Sequence, residues 1–106
     1  MLSKSAIVDV TAAATDTTVY EVGSTRKFKL ESLCITNNSG GAVTVELYDG
    51  PSADGRLKYV ITETSGTAGT QVTRNANDLK GIEFEHSVVA VASGATVRVF
   101  VGGEEY

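Results

Sequence analysis

One unit repeats along this chain: a short alternating apolar run, a turn of Gly, Ser, Asn or Asp, and a second such run. It is clearest from Leu30 to Gly50, LESLCITNNSGGAVTVELYDG, and from His86 to Gly103. Strict alternation places successive side chains on opposite faces of a strand. Val43, Val45 and Leu47 point one way, and Thr44, Glu46 and Tyr48 point the other. Asn37 to Gly41, NNSGG, is a hairpin turn, because Asn and Gly accept positive φ. The pattern confines the chain to an all-β fold. The one helix-tolerant stretch, Val10 to Asp16, is too short and too rich in Thr to compete.

The strand candidates are Ala6–Val10, Thr18–Val22, Lys27–Asn37, Ala42–Asp49, Arg56–Glu63, Ser87–Ala92 and Thr96–Val101. To these are added GIEFEH, Gly81 to His86, and a short piece from Gln71 to Arg74. Thr18, Tyr20 and Val22 alternate with Val19 and Glu21. Leu57, Tyr59 and Ile61 share one face, against Arg56, Lys58 and Thr62. In the third run the phase slips, since Phe28 and Leu30 have even parity and Leu33 and Ile35 odd. Either a β-bulge at Glu31–Ser32 restores the core face, or the segment crosses between sheets and is buried on both sides. SVVAVA, apolar on both faces, is a central strand. Val97, Val99 and Val101 point inward and Arg98 and Phe100 outward, and Gly102 to Tyr106 forms a short acidic tail. Thr64 to Asp78 is a long polar connection. About eight strands at this spacing give an antiparallel two-sheet sandwich, jelly-roll-like, with Greek-key crossovers.

A length of 106 residues suits one domain, 1–106, with 1–17 set apart as a candidate N-terminal arm. The net charge of -4 argues against a nucleic-acid partner, which calls for a basic face. No run approaches a membrane span, and Asp9 interrupts any signal-peptide core. A soluble protein made in the cytoplasm is expected. The single Cys34 lies in the apolar run LCI and is expected to be a small buried hydrophobe.

Chemistry is sparse. His86 is the only histidine, which leaves neither a zinc set nor a Ser-His-Asp triad, and no Ser stands in a G-x-S-x-G context. Asp49 and Asp54 flank a Gly-rich loop and could be calcium ligands, but turn chemistry with local backbone hydrogen bonds explains both. Glu83 and Glu85 share a solvated strand face. Asn37-Asn38-Ser39 matches a glycosylation pattern but is read as a turn. The expectation is a non-enzyme without cofactor or metal. Tyr48 and Phe100, facing outward, are candidates for a binding patch or subunit contact. Ile7, Val8 and Val10 are candidates for pairing with a partner's sheet edge.

Ile35-x-Asn37, the small-residue turn, Val45 to Gly50 (VELYDG) and the closing stretch Gly81 to Val99 carry a resemblance. Together they resemble the small β-sandwich structural proteins of tailed-bacteriophage virions, over most of the chain after Thr18. The chain departs from that pattern at His86-Ser87, where a small-residue turn is expected. The resemblance implies a capsid decoration, or cement, protein. Its partners would be the major capsid protein or other virion subunits, its state a homo-oligomer and its location the virion. It assigns no catalytic residue. The alternatives are a head–tail or tail component and, from another class, a sugar- or calcium-binding β-module using Asp49–Gly55 and Thr64–Asp78.

Overall fold

The computed structural model describes residues 2–106. Its strands are β1 (Leu2–Val10), β2 (Thr17–Glu21), β3 (Phe28–Asn37), β4 (Val43–Asp49), β5 (Leu57–Glu63), β6 (Thr70–Arg74), β7 (Glu83–Phe84), β8 (Ser87–Ala92) and β9 (Val97–Glu105). One sheet runs β1-β9-β3-β6, with β7 beside β3, and the other runs β2-β8-β4-β5. Every pairing is antiparallel. The chain passes repeatedly from one sheet to the other, and its first and last strands are neighbours. That is a jelly roll: two interleaved Greek keys closed around one core.

Alternation builds the core as the sequence implies. Leu33 and Ile35 from β3, Val43, Val45 and Leu47 from β4, Val88, Ala90 and Ala92 from β8, and Val97, Val99 and Val101 from β9 are all buried. Phe28 and Phe84 close one end of the core, and each fully buried side chain of this size contributes roughly 1.5–3 kcal/mol.

Three bulges shift the strand phases. The pairing of β3 with β9 slips between Leu30 and Ser32, so the bulge at Glu31 returns both Leu30 and Leu33 to the core. Across that bulge lies Gly103, where a Cβ would fall on the Lys29 carbonyl oxygen, so only glycine fits. A second bulge, between Thr18 and Tyr20, turns Val19 and Tyr20 both toward the interior, and the Tyr20 ring lies 4.8 Å from that of Phe28. A third, at Lys58, pairs Leu57 with Tyr48 and turns Leu57 outward, where it is 46% exposed. The expected common face for Leu57, Tyr59 and Ile61 is corrected accordingly.

Other expectations also change. The stretch expected to be a short acidic tail is part of the sheet: β9 continues to Glu105, and the backbones of Tyr106 and Lys27 exchange hydrogen bonds of 2.9 and 2.8 Å. The strand from Ala6 to Val10 begins at Leu2 and pairs over its whole length with β9 of its own chain. The polar connection after β5 carries one helical turn, α1 (Ala76–Leu79), which buries Leu79. Its capping box joins Asn75 and Asp78, each side chain accepting the other's backbone N–H. Cys34 is only half-buried and alternates outward between Leu33 and Ile35.

Candidate interaction surface

Each sheet presents an outer face to solvent, and the two faces differ. On the β1 side, cross-strand partners form rows. Ile7 stands opposite Phe100, Phe100 opposite Cys34, and Cys34 opposite Thr73. The neighbouring row is polar: Asp9 stands opposite Arg98, whose Nε donates to Asp9 Oδ1 at 2.8 Å. That contact holds the Asp9 carboxyl below its usual value. Ile7 is 60% exposed. The Phe100 ring leans over Gly102, with two ring carbons 3.6 Å from where a Cβ would stand, and is thereby half-buried.

The opposite face is more apolar. Val89 stands opposite Tyr48, and Tyr48 opposite Leu57. In the next row Val91 and Val60 flank Glu46. Leu57 and Val60 are 46% and 45% exposed, while Val89 is buried beneath its neighbours. Tyr48 donates its hydroxyl to Glu46 Oε1 at 3.2 Å. Desolvation and the Glu46 carboxylate both push the Tyr48 hydroxyl up from its ordinary value. Alternation explains Tyr48. The outward turn of Leu57 escapes a reading of parity because it depends on the Lys58 bulge.

The five residues singled out from the sequence therefore do not form one surface. Ile7 and Phe100 meet on one face and Tyr48 lies on the other. Val8 is half-buried against the core. Val10 is wholly buried and belongs to the core, which corrects its assignment to an interaction surface.

Buried carboxylates fasten the loops. Both Asp49 carboxylate oxygens accept the Glu85 N–H at 3.1 Å, and Oδ1 also accepts the His86 N–H at 2.8 Å. These bonds span 36 and 37 residues, so they are tertiary and not the local turn bonds expected of Asp49. They also explain the departure at His86-Ser87. There the chain crosses from β7 in one sheet to β8 in the other, a step no small-residue hairpin turn makes.

Glu105 accepts the Tyr20 hydroxyl at 2.6 Å and the Gly23 N–H at 3.2 Å. Those two donors hold its carboxyl below the usual range. Burial and the Glu105 carboxylate together push the Tyr20 hydroxyl up to about 12. Glu63 sits with Asn37 and Ser65. Burial alone would raise its carboxyl, but the Ser65 N–H and hydroxyl and the Asn37 amide outweigh it and hold it low.

Among the described residues, no group of three or more His, Cys, Asp or Glu could hold a metal ion. Asp54 is engaged with Arg56 at 3.2 Å. A shallow cleft of about 530 Å³ is lined by Val22 to Lys27 with Glu85 and His86. Its cations already face carboxylates, Arg26 with Glu105 at 3.9 Å and Lys27 with Glu85 at 4.0 Å. No helix of the described residues is long and apolar enough to cross a membrane.

No protein-family model matches this chain, and no curated protein does either. Among solved structures it is similar to a subunit of Bacillus endospore appendages, described as a novel family of disulfide-linked pili. The TM-score is 0.56 at 19% identity, over 99% of this chain and 86% of that one. It also overlays on the Drosophila NLP core, studied for pentamer formation and histone binding, with a TM-score of 0.48, 16% identity and coverage of 97% and 98%. The Tobacco streak virus coat protein gives 0.37 at 11% identity, over 96% and 85%. The pilus likeness shows a shared fold, the jelly-roll sandwich, and the two lower scores carry no argument.

Proposed function

We propose that the chain is a non-enzymatic structural subunit of a tailed-phage virion, most specifically a decoration protein that binds and stabilises the outer capsid shell. One observation carries this reading: both broad faces of the sandwich present exposed apolar side chains, Leu57 and Val60 beside Tyr48 on one and Ile7 beside Phe100 on the other. Outer faces of antiparallel sheets are ordinarily polar, and apolar rows rimmed by charge suit contact with other subunits. The loops support the same role, because their polar groups are tied into the fold by Asp49, Glu63 and Glu105 and are not poised around a ligand. Binding would bury the Leu57 and Val60 row against a neighbouring capsid subunit. The partners would be the major capsid protein and further copies of this chain.

The test is to label the protein and locate it on purified virions by electron microscopy, beside a Leu57→Asp, Val60→Asp variant. Density on the outer shell that the variant loses is the expected result. Density at the neck or tail would move the protein to a head–tail or tail position. Absence from the virion would overturn the reading.

A further inference from the structure

β1 differs from the other long strands in how it is held. It pairs with β9 over nine consecutive residues, Leu2 opposite Glu105 through Val10 opposite Val97, with no register shift. The β2–β8, β3–β9 and β4–β5 ladders are all interrupted by bulges. Yet of its nine side chains only Val10 is fully buried, with Ala6 and Val8 half-buried and Leu2 47% and Ile7 60% exposed. β1 is thus fixed mainly by backbone hydrogen bonds, which any identical β9 would supply equally well.

The connection from β1 to β2 has the features of a hinge. Thr11 to Asp16 are six residues, all exposed. Within them Ala14 has φ 55, a left-handed conformation that a residue with a Cβ disfavours. It is held by a single backbone bond, Ala14 N–H to the Ala92 carbonyl at 2.8 Å. On the β2 side the segment is anchored, because Asp16 accepts the Ser52 N–H at 3.0 Å and the Ser52 hydroxyl at 2.5 Å. Opened out, six residues reach roughly 20 Å, comparable to the 18 Å short dimension of the molecule.

We propose that β1 is an exchangeable strand: it leaves its own β9 and completes the β1-β9-β3-β6 sheet of a second copy of this chain. The inference rests on the reading of the chain as a self-associating structural subunit. All nine residue pairings re-form unchanged between copies, while the strained Ala14 is released into an extended linker. Reciprocal exchange closes a two-fold dimer. Passing each strand to the next copy builds an open chain.

The test uses two proteins, each carrying Cys34→Ser. One bears Ser3→Cys and the other Glu104→Cys, at positions directly opposite in the ladder and on the accessible outer face. The two are mixed, unfolded, refolded together and oxidised. The expected result is a mixed disulfide joining the two variants, in excess of either homodimer and absent when each is treated alone. Oligomers by light scattering without the mixed disulfide would overturn the exchange while leaving the structural role standing. Monomers at every concentration, again without the mixed disulfide, would overturn both the exchange and the self-association. A second variant keeps the test independent of the cysteines. Deleting residues 13–15 removes the slack of the hinge and its Ala14–Ala92 bond, so the oligomer fraction should rise above the parent's, and a deletion variant no more oligomeric than the parent would sink the proposal.

Discussion

β1 and β9 are partners of equal length, each giving nine residues to one ladder, yet they are held in opposite ways. β9 buries Val97, Val99, Val101 and Glu105, and lies between two other strands. β1 buries Val10 alone and stands at the edge. Equal hydrogen bonding with unequal burial separates two jobs that sheet formation usually joins. The ladder sets which residue faces which; side-chain burial decides which strand is expensive to remove. A strand with register but little burial can change partner without losing its place.

The sharpest way to break this comparison is at the crowded end of β9. Gly103→Ala would drive a Cβ into the Lys29 carbonyl. It should cost about 3 kcal/mol, read as a lowered urea midpoint. No comparable site exists along the described part of β1, whose positions carry ordinary side chains. A direct contrast follows from one cross-strand pair, Val8 and Val99. Val99→Ala, in the core, should cost about 2 kcal/mol, and Val8→Ala, half-buried, less than about 1 kcal/mol. Equal costs would show that β1 is packed as firmly as β9 and would remove the basis for treating it as the looser strand.

A smaller effect depends on pH, and it rests on the buried carboxylates Glu105 of β9 and Glu63 of β5 more than on the exposed Asp9 of β1. Glu105 and Glu63 have carboxyls held below the ordinary 4.5 in the folded state. Each therefore adds stability that is complete above about pH 4.5 and is lost as pH falls through the lower, folded value. The Tyr20 hydroxyl, raised to about 12, works in the other direction. Its contribution is complete below about pH 10 and lost as pH climbs toward 12. Melting temperature followed by circular dichroism should be flat near neutrality and fall at both extremes. Glu105→Gln should flatten the acid limb and weaken the alkaline one, because it replaces the carboxylate that accepts the Tyr20 hydroxyl with a neutral amide. An unchanged alkaline limb would show that the two groups do not act as a pair.

How far the sequence discloses this arrangement depends on whether a feature is local. Alternation in Val43–Asp49 and Ser87–Ala92 reports the faces directly, and the all-β sandwich follows from it. The Glu31 bulge is legible because apolar residues on both sides of it change parity. The Val19 and Lys58 bulges are not, since Val19 and Tyr20, or Leu57 and Tyr59, give a plausible alternation without them. β9 beyond Val101 is hidden for another reason. Gly102, Gly103 and two Glu residues have poor strand character, and the neighbouring β1 and β3 together with the Tyr20 hydroxyl give them a place. Among the candidate contact residues, the outward positions of Tyr48 and Phe100 follow from period two. That Ile7 faces Phe100 follows from a pairing 93 residues apart, which no local pattern encodes.

The smallest expected effect concerns the hinge that lets the two strands separate. Ala14→Gly removes the cost of placing a Cβ at φ 55, about 1 kcal/mol. It also enlarges the freedom of the unfolded chain by a similar amount, so the monomer's urea midpoint should move by no more than about 0.5 kcal/mol equivalent. The strand-exchanged state responds differently. Its hinge is extended and never contained the strain, so glycine favours the closed monomer over the exchanged form, and the oligomer fraction by light scattering should fall. A fall in oligomer with an unmoved midpoint would place the strain of Ala14 in the choice between closed and exchanged β1. A shift in the midpoint with no change in oligomer would place it in folding instead, and β1 would then be as firmly committed to its own β9 as β3 is.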